Sequence, residues 1–412
     1  MTYTKEFLSA IPKTDLHLHL DGSLRLETLI ELARDSRVEL PSGTPEGLIE
    51  TVFKRRYANL DEYLAGFAWT VAVLQRAEHL ERVAYELAQD NAAEGVRYIE
   101  VRFAPQLHMH PELSFEAVIE AVDRGLRRAR DEINASTAGP MAPEESHAPL
   151  PPFEYGIIIT AMRFFTPEFS SYFTRLADVH PHADALELSR AASYELARAT
   201  VQLRDNSDIQ IVGFDLAGSE HGYPAGNHKG AFEFVHKHFI NKTVHAGEAY
   251  GPESIFQAIT DLHADRIGHG FHLFDAELIR SPEIADPERY VRNLIDYIAD
   301  NRVTIEVCLT SNLQTSPYLE TLKAHSVKQM LDHKLSITIC TDNRLVSHTG
   351  VTRELEQLVN HVEVPPKQLK NIIVYGFKRS FFYRPYNEKR DYVRSVIDHY
   401  DMLEKKHGIA AS

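Results

Sequence analysis

The chain has 412 residues, of which 43% are hydrophobic, 9% aromatic and 25% charged. These are ordinary values for a globular protein with enough apolar material to bury a large core. A net charge of -15 repels phosphate backbones and anionic lipid, which argues against nucleic acid or a membrane as partner. No apolar run is long enough to cross a bilayer, the opening MTYTKEFLSAIPKT lacks the apolar centre of a signal peptide, and only two cysteines occur. The expectations are therefore no membrane span, no disulfide framework and a cytoplasmic location.

Short runs rich in β-branched residues alternate with longer helix-like segments. Candidate strands are residues 14–18, 97–103, 155–162, 209–216, 242–245, 265–268, 304–308 and 336–340. Amphipathic segments such as 80–94 and 254–262 lie between them, and this alternation predicts a parallel sheet covered by helices. Eight strands is the number that a closed (β/α)8 TIM barrel requires, here with extra helices. An open doubly wound sheet is the competing architecture, weakened because no GxGxxG turn follows the first strand. The segment 60–67 places Leu60, Tyr63, Leu64 and Phe67 on one helical face, which suits a core helix and a covering helix equally. Residues 134–152, rich in Pro, Ala and Ser, predict an irregular surface loop, and 164–205 a long helical stretch. Neither breaks the chain, so residues 1–412 are expected to form one domain. Cys308 and Cys340 each end an apolar run and read as buried packing residues.

The chain carries 22 histidines, and a few stand where strands end. His17 and His19, two residues apart on the first strand, point to the same face. Alone, such a pair is explained as well by the solvent face of an edge strand. His245 closes the fifth strand, and Glu248 follows after a small turn; a helix-start Glu beside an incidental His is the plainer alternative. His269 closes the sixth strand between Gly268 and Gly270, a pattern that leaves room for close approach or simply makes a tight turn. Asp342 follows the eighth strand and is either an oxygen ligand or a helix cap. All of these positions fall at the carboxy-terminal ends of strands, the rim where this fold builds active sites. Imidazoles and carboxylates gathered at one rim suit a metal ion, and zinc takes three or four such ligands.

The segments HLHLDGS, GFDLAGSE, TVHAGEAYGPESI, RIGHG, EVCLTSNLQT and TDN, in this order, resemble the adenosine deaminase family over most of the chain. The resemblance implies one Zn2+ per chain held by His17, His19, His245 and Asp342. It implies that Glu248, protonated, gives a proton to purine N1, and that His269 helps deprotonate the attacking water and holds the resulting hydroxide. Gly218 would contact ring N3 through its backbone N–H, and Asp21 would accept a hydrogen bond from the sugar 5′-hydroxyl. A carboxylate there repels phosphate, which favours a nucleoside over a nucleotide. The expected reaction is hydrolytic deamination of adenosine, and of 2′-deoxyadenosine, to inosine or deoxyinosine and ammonia, with a small purine nucleoside as the partner. The helix at 60–67 would cover the pocket. One departure stands out: the family's second Asp is replaced by Asn343, whose amide donates to N7 without needing a proton of its own.

Three alternatives stay open at this stage. The chain could act on adenine or a modified adenosine; it could be a two-metal amidohydrolase, although no lysine ends a strand to bridge two ions; or it could be an inactive adenosine-binding barrel, which would be expected to have lost Glu248 or His269. His108, His110, His221 and His272 lack paired ligand spacing and read as surface or supporting residues.

Overall fold

All eight expected segments form strands in the computed structural model, which describes residues 3–137 and 148–409. They are β1 (Lys13–His19), β2 (Val96–Phe103), β3 (Glu154–Met162), β4 (Ile211–Ala217), β5 (Asn241–Ala246), β6 (Arg266–His269), β7 (Thr304–Val307) and β8 (Ile337–Ile339). They pair in sequence order, every pair parallel. Nearly every strand residue is buried, as expected of a parallel sheet with helices outside and side chains filling the centre. The seam between the last strand and the first is closed by a single residue beyond β8. The Asp342 N–H donates to the His17 carbonyl at 2.8 Å, and the Asp342 carbonyl accepts from the His19 N–H at 2.8 Å.

Helices cover the barrel between strands. In Pro287–Asn301 the residues Val291, Leu294, Ile295 and Ile298 form one buried stripe, and the chain leaves the helix through Arg302 in the left-handed region. The predicted helical stretch after β3 resolves into Ser171–Val179 and Ala185–Asn206. A capping box separates them: the Asp184 carboxylate accepts from the Glu187 N–H at 2.8 Å, and the Glu187 carboxylate accepts from the Asp184 N–H at 2.9 Å. One expectation needs correction. The helix Phe115–Thr137 extends four residues into the segment read as irregular, because Asn134 is anchored by two hydrogen bonds to the Phe153 backbone. Residues 138–147 of that segment lie outside the described residues.

The barrel interior is charged where aliphatic layers would be usual. Glu306 on β7 accepts hydrogen bonds from His17 Nδ1 (2.9 Å), Thr243 Oγ1 (2.9 Å), Arg102 (2.9 Å) and Arg266 Nε (2.6 Å). Arg266 also pairs with Glu100, and Arg102 faces Asp215 at 3.5 Å. All five ionic residues are fully buried. Burial alone would raise the Glu306 pKa, but the two guanidiniums and His17 hold it well below the usual carboxylate range. Breaking a buried ionic network from one side leaves charge without compensation. Glu306→Gln is expected to cost about 3–5 kcal/mol, read as a lower urea midpoint at unchanged slope.

Candidate active site

The carboxy-terminal rim gathers the predicted residues from four strands. His17 and His19 come from β1, His245 from β5 and His269 from β6, while Asp342 stands just past β8. One donor atom from each of His17, His245, His269 and Asp342 lies within 4.8 Å of the others. His19 joins them: its Nε2 is 3.1 Å from His245 Nε2 and 3.5 Å from an Asp342 carboxylate oxygen, which is itself 3.4 Å from His17 Nε2. Gly268 makes the packing possible, since a Cβ there would lie 2.8 Å from the His17 ring. The room left by the sixth-strand glycine thus serves the ring of a neighbouring histidine. His269 and Asp342 both have positive φ, 64° and 61°, a strained conformation for non-glycine residues that collects at functional sites.

The donor set fits a divalent cation. His17 Nδ1 is held by Glu306 at 2.9 Å and His245 Nδ1 by Asp215 at 3.2 Å. A carboxylate behind Nδ1 accepts a hydrogen bond from the ring N–H, keeps the proton on that nitrogen and turns the Nε2 lone pair into the cluster. His17 Nε2 is buried there with no hydrogen-bond partner. Four donors at ~2.0–2.1 Å around a tetrahedral ion stand about 3.3 Å apart, close to the spacings seen. Burial keeps His19, His245 and His269 neutral by lowering their pKa. For His17, burial and Arg102 act the same way, but the adjoining carboxylates of Asp342 and Glu306 outweigh them, so its pKa is raised. Burial favours neutral Asp342, yet the surrounding imidazoles hold it well below the usual range as a carboxylate.

Glu248 sits beside this cluster with a carboxylate oxygen 3.6 Å from His269 Nε2. Burial, then Asp342 and Glu220, push its pKa well up, while Arg163 opposes them. The turn carrying it is fixed by Glu220, whose carboxylate accepts the N–H groups of Gly247, Glu248, Ala249 and Tyr250 at 2.7–3.0 Å. Asp21 is buried with one carboxylate oxygen unpartnered, and burial and Asp342 raise its pKa to about 7. Gly218 follows β4 with φ of 101°. Asn343 is buried and donates to the Tyr63 hydroxyl at 2.8 Å, and that hydroxyl lies 3.0 Å from Ser347 Oγ. Tyr63 belongs to the helix Leu60–Ala65, so this segment reaches over the site.

His108 is bonded to the Leu74 carbonyl, His110 to the Gln75 carbonyl and His272 to Asp275 and Tyr318, while His221 stacks on Tyr250. Cys308 and Cys340 are free and buried. Sequence reasoning missed the supporting carboxylates Asp215, Glu220 and Glu306. The available signal was charge inside apolar strands: VGFDLA and TIEV each carry one acid with no polar neighbour to explain it.

A closed parallel barrel with imidazoles and carboxylates converging on its carboxy-terminal rim defines a metal-binding barrel hydrolase. The family model described as adenosine deaminase matches residues 12–180 and 182–399. Adenosine deaminase 1 of Streptomyces coelicolor is 35% identical over 393 residues, covering 94% of this chain and 86% of its own length. The adenosine deaminase of Mycobacteroides abscessus is 34% identical over 392 residues, 95% of each chain. Among solved structures, an amidohydrolase from Burkholderia ambifaria with bound Zn shares the fold at a TM-score of 0.74 and 18% identity, covering 100% of this chain and 97% of that one. The chain belongs to the adenosine deaminase family.

Asp215→Ala is expected to weaken divalent-cation affinity about 10–100-fold, because His245 loses the acceptor that orients its ring. Competition against a chromogenic chelator measures this, and unchanged affinity would separate Asp215 from the site.

Proposed function

We infer that this chain catalyses the hydrolytic deamination of adenosine and 2′-deoxyadenosine, with one Zn2+ held by His17, His19, His245 and Asp342. The observation that carries the reading is Glu248: a buried carboxyl whose pKa is pushed well up by burial, 3.6 Å from His269 beside an imidazole–carboxylate cluster, in a chain of this family. A bound cation of this kind supplies Lewis acidity that lowers the pKa of water towards ~7.

The protein's own groups supply the rest. C6 of the purine is a poor electrophile until N1 is protonated, and Glu248, whose pKa burial raises, is the group placed to provide that proton. His269 faces the attacking oxygen with Nε2. The water oxygen bonds to C6 as one of its protons restores Glu248 and the other passes to the exocyclic amine; the C6–N bond breaks, ammonia departs, and the base becomes hypoxanthine with the proton from Glu248 on N1. Asp21, with its unpartnered oxygen, accepts the 5′-hydroxyl; it has no adjoining cation to welcome a phosphate. The Gly218 N–H meets N3. An amide carries two N–H hydrogens, so Asn343 can donate one to Tyr63 and the other to N7. Helix Leu60–Ala65 excludes water above the base.

Among the described residues no helix is long and apolar enough to cross a membrane. The acidic charge and the two unpaired, buried cysteines support a cytoplasmic, single-domain enzyme acting on a small molecule.

Purified zinc-loaded protein should convert adenosine with stoichiometric ammonia release, faster than AMP or adenine. Indifference to adenosine with turnover of another aminopurine would replace the substrate. Glu248→Gln should keep its metal and lose about 10²–10⁴ in kcat, the usual worth of a positioned proton donor. The sign with pH follows from the role. The acid must be protonated, so kcat/KM of the wild type falls on the alkaline side as Glu248 ionises, and the Gln variant loses that limb. A retained alkaline limb in the variant would remove Glu248 from the proton transfer.

A further inference from the structure

His17 and His245 have acceptors behind their Nδ1 atoms, whereas His269 has a donor. Its Nδ1 is 3.2 Å from Asn312 Nδ2. The orientation of that amide is set further back. Asn312 Oδ1 is 3.3 Å from His325 Nε2, and His325 Nδ1 is 2.9 Å from the backbone N–H of Val327. A backbone N–H can only donate, so His325 Nδ1 must accept. The neutral His325 ring then carries its proton on Nε2 and donates to Asn312 Oδ1. Reversing the amide would set its N–H against that proton, so Nδ2 faces His269. Nδ1 of His269 must accept in turn. All three side chains are buried, at 2% exposure or less, and burial lowers the His325 pKa to about 3, which keeps the ring neutral.

We propose that Asn312 and His325 are positioning residues that fix the tautomer of His269, placing its proton on Nε2 so that it meets the reaction centre as a hydrogen-bond donor. In this form His269 Nε2 has no lone pair to bind a cation or to remove a proton from water. The relay therefore separates His269 from the histidines that it adjoins, although all of them lie within reach of one ion. The expected part of His269 in deprotonating water is thereby reduced to holding the oxygen. This deepens the proposed function and rests on its placing of His269 opposite the attacking oxygen.

The test reads the tautomer directly. Long-range 1H–15N spectra of 15N-histidine-labelled protein, with the His269 signals assigned by their loss in His269→Gln, should show a pyridine-like Nδ1 and a pyrrole-like Nε2, before and after metal loading. In Asn312→Asp both side-chain oxygens accept, so the proton should move to Nδ1, the two signals should exchange character, and kcat should fall by roughly 10²-fold with KM little changed, as on loss of one preorganised donor. His325→Gln can accept from Val327 and donate to Asn312, so it should keep the wild-type pattern and most activity; His325→Leu should not. Wild-type protein with a pyrrole-like Nδ1 overturns the proposal whether or not the variants fold, as does Asn312→Asp with unaltered signals. The spectra need no substrate. Failure to deaminate adenosine with the expected tautomer present would sink the functional reading and leave the relay standing.

Discussion

Two imidazole nitrogens, His19 Nε2 and His245 Nε2, face each other at 3.1 Å, and most of the barrel interior is arranged to maintain that kind of encounter. Facing lone pairs repel unless a proton or a cation lies between them. Carboxylates behind His17 and His245 accept hydrogen bonds from Nδ1–H and so keep on the far side of each ring the proton that would otherwise relieve the conflict. Those carboxylates are themselves buried, and opposite charge holds them ionised: Arg102 and Arg266 act on Glu306, and His245 with Arg102 on Asp215. A chain of dependence thus runs from guanidinium to carboxylate to imidazole to the rim, and it explains why the centre of the barrel is ionic. The arrangement sacrifices stability for readiness to bind a cation, since a buried ion network seldom outperforms aliphatic packing.

Closure of the barrel belongs to the same arrangement. Asp342 completes the seam with β1 through two backbone hydrogen bonds while its carboxylate enters the cluster. His17 and His19 flank the same seam. The spacing of His17, His19 and Asp342 therefore follows from strand pairing. Glu220 does for the Glu248 turn what the ladder does for the histidines, gathering four backbone N–H groups on one carboxylate.

The strands and the rim histidines were legible because their signals are local. A β-branched run announces a strand, and the HxH spacing places two rings on one face. Glu248, Asp342 and the order of motifs added what single positions lacked. The supporting shell was not legible for a physical reason. Glu306 finds partners from β1, β2, β5 and β6, and no spacing along the chain encodes that convergence. Asn312 and His325 are harder still, because their meaning lies in the direction of their hydrogen bonds. The limit of the 134–152 segment was misplaced because Asn134 reaches across to Phe153, a tertiary contact that overrides the local composition.

Position 343 shows how a local departure is absorbed by its surroundings. A second carboxylate next to Asp342, in a pocket where burial already lifts Asp21 and Glu248, would have to be protonated to donate a hydrogen bond. Asn343 donates with no such condition, and part of its donor capacity goes to Tyr63, which also meets Ser347. The helix Leu60–Ala65, which on the proposed reading covers the site, is thereby bonded to the residue that recognises the purine ring. Covering the base and recognising it then become one event: a ring that drew Asn343 aside would loosen Tyr63 and admit water to the reacting carbon, whereas one that accepts the free amide hydrogen leaves the cover in place.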